Sequence, residues 1–164
     1  MYDFLRDHNL NTKINYDVYE TKEIARGYMK FGKELGINFL DIEHLGFKKY
    51  DLILISGTLQ YVENWREILQ ISSMLASNTQ IMRLPLSPAS KNSFYIQHNE
   101  TGVYGLSHAS YPFIMFSRVE FINEAEINFN ISMQLIDSDE NYPYLGKNYS
   151  MNTLLLNSKN FLPS

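Results

Sequence analysis

Four consecutive branched apolar residues, Leu52-Ile53-Leu54-Ile55, are entered from Asp51 and halted abruptly by Ser56-Gly57. No other stretch restricts the fold as much. Such a run predicts a strand buried on both faces, the position that a parallel sheet offers between two layers of helix. The segments around it agree. Thr21 can cap a helix from about Lys22 to Leu35 that stops at Gly36, with Ile24, Tyr28, Phe31 and Leu35 as its apolar face. Asn64, with Glu67 three residues on, opens a second helix whose inner face is Trp65, Ile68, Leu69, Ser72 and Leu75, and which Ser77-Asn78 end.

Short strands alternate with these helices. Ile14 to Tyr19 forms one, with Glu20 at its carboxyl end, and Asn38 to Leu40 forms another, ending at Asp41. Gln80 to Leu84 follows the second helix and is closed by Pro85. Residues 2–8 read as the tail of a helix that Asn9 and Asn11 break. Between Ser87 and Pro112 the chain is polar, aromatic and irregular. Ser117-Arg118-Val119-Glu120 is a capping box that starts a short helix. Ile131, Met133 and Leu135 mark a half-buried strand, and Tyr149 to Leu156 a last strand that pairs with it as a terminal hairpin. Alternation of this kind implies right-handed βαβ units on a mostly parallel sheet, an α/β fold.

With 164 residues there is room for one domain, residues 1–164, and not comfortably for two. A net charge of −4 and the lack of any basic run longer than two residues argue against a nucleic-acid partner. The chain has no cysteine, which removes disulfides, thiolate zinc sites and a cysteine nucleophile. His98 and His108 have no metal-ligand spacing, so no metal is expected. The start of the chain lacks an apolar signal region, and no apolar run approaches a membrane span. A cytoplasmic setting without a membrane partner is the expectation.

In open α/β sheets ligands bind beyond the carboxyl ends of the strands. Three such ends carry suggestive residues. Glu20 could accept hydrogen bonds from ribose hydroxyls, although a carboxylate beside a helix start is also favoured by the helix dipole. Asp41 could meet the edge of a nucleoside, although an acid after a strand is ordinary turn chemistry. Gly57 would let the backbone come close to a ligand, or serve a plain tight turn. Ser56-Gly57 lacks the flanking glycines of a nucleophile elbow.

The stretch Tyr50-Asp51-Leu52-Ile53-Leu54-Ile55-Ser56-Gly57-Thr58-Leu59-Gln60-Tyr61-Val62-Glu63 resembles the fourth strand and following loop of S-adenosylmethionine-dependent methyltransferases. It is similar, more narrowly, to a bacterial methyltransferase family often associated with surface-polysaccharide genes. Tyr16-Asp17-Val18-Tyr19-Glu20, Arg83-Leu84-Pro85, Tyr95-Ile96-Gln97-His98 and the stretch from Ser110 to Ser117 resemble further segments of that family, in order. The resemblance covers about residues 2–156. It implies a Rossmann-like methyltransferase fold with flanking helices and a C-terminal antiparallel hairpin. The first strand and its glycine-rich loop have no counterpart in the sequence, which reads as N-terminally truncated: a fragment or misplaced start of a longer protein is favoured over a degenerate descendant.

The resemblance further implies S-adenosylmethionine as cofactor, with Glu20, Asp41, Ser56, Gly57 and Leu59 around it. Binding by this chain alone would be weak. A small-molecule or saccharide acceptor would meet Gln60, Tyr61, Arg83, Gln97, His98 and Tyr111. His98 is the most plausible general base, and Tyr61 a weaker catalytic candidate. The rival is a non-catalytic scaffold that keeps the fold. The implied strand order is 3-2-1-4-5-7-6. With position 1 empty, Ile14–Tyr19 is expected to pair directly and in parallel with Asp51–Ile55, and failing that the chain would form a homodimer through the gap or be poorly soluble.

Overall fold

The computed structural model describes residues 15–46, 48–99, 109–140 and 149–162. The expected helical tail at residues 2–8 lies outside them, as does His108. The chain divides between residues 47 and 48 into two compact units.

The first unit is a single β-α-β turn of chain. β1 (Tyr16–Glu20) and β2 (Ile37–Asp41) run parallel, in register from Tyr16↔Ile37 to Glu20↔Asp41, and α1 (Lys22–Leu35) connects them. Gly36 ends the helix in the left-handed conformation at φ 70°, as its missing Cβ allows. The expected inner face of α1 is not the one that packs. Ala25 and Gly32 are buried, whereas Ile24, Tyr28, Phe31 and Leu35 are all at least 41% exposed. The reason is the narrowness of the approach. A Cβ on Gly32 would stand 2.5 Å from the Ile37 carbonyl oxygen and 2.7 Å from the Phe39 ring, so the helix rests on β2 through its small residues. Tyr28 keeps one contact with the sheet, stacked on Phe39 with centroids 5.5 Å apart.

The second unit holds the main core. β3 (Tyr50–Ser56) leads through a short turn into α2 (Trp65–Leu75), which passes without a break into β4 (Ala76–Ser87). β5 (Ser93–Asn99) and β6 (Ala109–Ser117) follow, then α3 (Arg118–Asn128), β7 (Phe129–Glu140) and β8 (Tyr149–Ser158). β4 is central. It pairs in parallel with β3 over residues 76–82 and antiparallel with β8 on its other edge. β6 adds a brief parallel pairing at Leu86 and Ser87, and β5 pairs antiparallel with β6. β7 closes the far edge against β8. The α/β class stands, with more antiparallel pairing than the terminal hairpin alone. The orders β2-β1 and β3-β4-β8-β7 match the runs 3-2 and 4-5-7-6.

Several expectations change. Among the described residues no ladder joins β1 and β3, contrary to the expected direct pairing: β1 pairs with β2 and β3 with β4. Direct pairing would have required the helices packed on each to shift. β3 is not buried on both faces. Ile55 is buried and Ile53 partly so on the face that meets the core, but Leu52 and Leu54, which alternate onto the other face, are exposed. The helix α2 stops at Leu75, and β4 continues through Pro85 to Ser87. Pro85 falls after the pairing with β3 ends at Met82 and before that with β6 begins at Leu86, where a strand tolerates a missing N–H. The irregular region is largely a hairpin, β5 and β6. On β7, Ile131 reaches the core, but Met133 and Leu135 are exposed on this edge strand.

The inner face of α2 packs as its spacing predicts. Trp65 is stacked on Phe121 at 5.3 Å and meets Phe116 edge-on at 5.1 Å, and each of the three is at most 2% exposed. Ile81, Leu84, Leu154 and Leu156 complete the layer beneath. The capping box of α3 is built with help. Ser117 Oγ accepts from the Glu120 N–H at 3.3 Å, but Glu120 Oε2 accepts from the Asn92 backbone, and Asn92 Oδ1 accepts from the Ser117 N–H. Asn92 thus ties the start of β5 to the start of α3.

Candidate functional site

The chain leaves the carboxyl end of β3 through a tight, well-bonded turn. Gly57 takes φ 58°, a conformation that favours glycine, and its N–H donates to the Met82 carbonyl of β4 at 3.0 Å. Thr58 Oγ1 donates back to the Ser56 carbonyl at 3.0 Å. The 3-10 turn Leu59–Tyr61 follows, closed by the Tyr61 N–H on the Thr58 carbonyl at 2.9 Å. Leu59 is anchored in the core at 1% exposure, which fixes the turn and leaves its backbone rather than its side chain to face a ligand. Among the described residues, a Cβ on Gly57 would meet only Gln60 Nε2, 3.9 Å away, so none of them crowds the turn on that side. Gln60 itself is 4% exposed.

Tyr61 carries this turn onto the β5–β6 hairpin. Its hydroxyl donates to Gln97 Oε1 at 3.2 Å, and its ring meets those of Tyr111 at 5.3 Å and Phe113 at 5.6 Å, both edge to face. The register Tyr95↔Phe113 and Gln97↔Tyr111 puts these four side chains on one face of the hairpin, since cross-strand partners share a face. Tyr61, Gln97 and Tyr111 are therefore brought together. Phe113 was not anticipated. The alternation of Tyr95 and Gln97 against Phe94 and Ile96 was the available signal for it.

His98 goes elsewhere. It alternates with Gln97 and stands on the opposite face, where its Nδ1 lies 2.8 Å from Ser110 Oγ. Arg83 is exposed on β4 at the irregularity between Ile81 and Leu84, with φ 57°, the one non-glycine residue of positive φ among those described.

In the first unit, Glu20 and Asp41 end adjacent parallel strands directly across from one another. Their tasks differ. Asp41 Oδ1 accepts from the Glu43 N–H at 3.1 Å and so caps the 3-10 turn Ile42–His44. Glu20 is half-buried and precedes Thr21, the cap position of α1, which makes no side-chain capping bond. No helix among the described residues is long and apolar enough to cross a membrane.

No family model and no curated protein matches the sequence. Solved structures do match in fold. The N-terminal domain of EvdMO1 with SAH bound superposes with a TM-score of 0.57 at 12% identity, over 87% of this chain and 64% of that one. The glycopeptide N-methyltransferase MtfA complexed with S-adenosyl-L-methionine gives 0.58 at 8% identity, over 95% and 75%. An S-adenosylmethionine-dependent methyltransferase from Clostridium acetobutylicum gives 0.52 at 11%, over 88% and 75%. The chain thus spans 64% of the length of the first of these proteins.

Proposed function

We propose that this chain, which has the fold of S-adenosylmethionine-dependent methyltransferases, serves methyl transfer from S-adenosylmethionine to an acceptor held beside Tyr61. The observation that carries the reading is the turn after β3. A glycine of positive φ lies at the carboxyl end of a parallel strand, its N–H is tied down, and none of the described residues crowds it. That is how a backbone is arranged when a ligand must approach it closely.

The cofactor would supply an electrophilic methyl on a sulfonium. The residues named have the simpler work of alignment. Ser56 and Gly57 would offer backbone to the cofactor, and Leu59 would hold the turn from below. In the first unit, taken by itself, Glu20 at the end of β1 is the candidate to accept from ribose hydroxyls, with Asp41 across from it at the end of β2. On the acceptor side, Tyr61, Gln97 and Tyr111 form one surface. Of the two candidates for taking the acceptor's proton, Tyr61 is on this surface and His98 is on the other side of the hairpin.

Amide chemical shifts of the isotopically labelled chain titrated with S-adenosylhomocysteine test the reading. They register affinity as weak as about 1 mM, equivalent to about −4 kcal/mol. Shifts concentrated at residues 56–61 are expected, and Gly57→Val should abolish them. A spectrum unchanged up to the solubility limit would overturn the assignment and favour a scaffold role for the fold.

A further inference from the structure

We propose that the outer edge of β5 binds a second copy of this chain, antiparallel and about a twofold axis at Ile96, so that the two β5–β6 hairpins form one continuous sheet. This stands independently of the methyl-transfer reading.

The first ground is the edge itself. β5 pairs along its whole length with β6, from Ser93↔Met115 to Asn99↔Ala109, and has no other strand neighbour among the described residues. In an antiparallel pair, alternate residues of each strand turn their N–H and C=O groups away from the partner. On an end strand those groups are a template for another chain, and proteins commonly protect them with charge or proline. The other strands with an open edge among the described residues all carry charge: Asp17 and Glu20 on β1, Asp41 on β2, Asp51 on β3 and Asp137 on β7. β5, with the sequence Ser-Phe-Tyr-Ile-Gln-His-Asn, has no Asp, Glu, Lys, Arg or Pro. It presents large apolar side chains instead, with Phe94 76% and Ile96 64% exposed.

The second ground identifies the occupant. Read outward from Ile96, β5 has the same chemistry in both directions: polar-tipped Tyr95 and Gln97 first, then the planar rings of Phe94 and His98. An antiparallel strand paired with itself about Ile96 sets each residue opposite its mirror position. Ile96 then meets Ile96 of the partner subunit, Phe94 meets His98 of the partner subunit, and Gln97 meets Tyr95 of the partner subunit. Cross-strand partners share a face, so the apolar and ring side chains gather on one side and the polar-tipped ones on the other. One patch serves both copies, as a twofold interface requires. A strand of another protein would be selected by complementary charge, and β5 has none to offer.

The pairing also reaches the candidate site. Gln97 accepts from Tyr61 on the face that bears Tyr111, so Tyr95 of the partner subunit comes to stand at the margin of that group. Seven residues from each copy make a small interface, below the roughly 1,200 Å² of stable complexes. A dissociation constant of about 10–100 µM is expected.

Sedimentation equilibrium of the whole chain, from about 5 to 500 µM, tests this. A reversible monomer–dimer equilibrium is expected. Ile96→Lys, which opposes two ammonium groups at the axis, should weaken it at least about tenfold. Leu135→Lys, at an exposed position of the edge strand β7, should leave it unchanged. The chain has no cysteine, so the register can be read separately. Ile96→Cys should form a disulfide-linked dimer on mild oxidation, because the two mirror positions face each other, and Leu135→Cys should not. A monomer at every concentration would overturn the proposal and leave the edge to a different chain. So would a dimer that Ile96→Lys does not weaken, or cross-linking of Leu135→Cys as fast as that of Ile96→Cys.

Discussion

Two glycines of one helix should respond oppositely to the same substitution. Gly27 and Gly32 both lie inside α1, where alanine is favoured over glycine by about 0.5–1 kcal/mol because it has less backbone freedom to lose. A Cβ on Gly27 meets nothing within 4 Å among the described residues, so Gly27→Ala should realise that gain in full. A Cβ on Gly32 would lie 2.5 Å from the Ile37 carbonyl oxygen and 2.7 Å from Phe39 Cδ2. The carbonyl belongs to the first residue of β2 and cannot swing aside as a flexible side chain does. The helix must lift from the strand instead. Overpacking of this kind costs about 1–3 kcal/mol, which exceeds the propensity gain. Gly32→Ala should therefore destabilise the first unit by a net of about 0.5–2 kcal/mol. Native-state hydrogen exchange of the β1 and β2 amides measures both variants locally, without the second unit's contribution. If Gly32→Ala protects those amides as well as Gly27→Ala does, the close approach of helix and strand is wrong.

Three further outcomes are expected from chemical denaturation or thermal melting of the whole chain. Thr79→Val should raise stability by about 1 kcal/mol, because Thr79 Oγ1 is buried without a hydrogen-bond partner and the hydroxyl's desolvation is uncompensated; a lower midpoint would show that the hydroxyl is satisfied. Ser117→Ala should cost about 1 kcal/mol through loss of the α3 cap, with no change in the denaturant slope. Phe121→Ala should cost about 3–5 kcal/mol, since the ring is fully buried between Trp65 and Phe116, and a loss below 1 kcal/mol would mean that the triad collapses around the gap.

What the sequence made legible depended on whether the signal was local. The end of α1 was readable because Gly36 stops the helix by its own chemistry, whereas Thr21 marks its start without a side-chain cap; the face of α2 was readable because Trp65, Leu69 and Leu75 recur at helical spacing. The β5–β6 hairpin was hidden for the opposite reason. Phe94, Ile96 and Pro112 are exposed and apolar while Gln97 and Tyr111 on the other face are polar-tipped, so the usual contrast of an inner and an outer face is blurred. Burial itself was the harder matter. Leu52 and Leu54 on β3, like Ile24 and Phe31 on α1, have the composition of a core face and are exposed. A pattern states which side chains gain from being covered, and it carries no information about whether a covering surface is present.

The same distinction bears on the two carboxylates at the ends of β1 and β2. Both were candidates on position alone, and both had an ordinary explanation. For Asp41 that explanation is realised: its Oδ1 takes the Glu43 N–H and caps the turn that follows, so its presence is accounted for without a ligand. For Glu20 the ordinary explanation was a helix start. Thr21 occupies the cap position with no side-chain bond, and the N–H of Ala25 is taken by the Thr21 carbonyl, as in any first turn. Glu20 is left half-buried at the carboxyl end of a parallel strand, where a carboxylate loses some of its hydration. A carboxylate in that place is still favoured by the dipole of α1, which acts without a capping bond. Asp41 can therefore be replaced by Asn, which also caps such turns, at little cost.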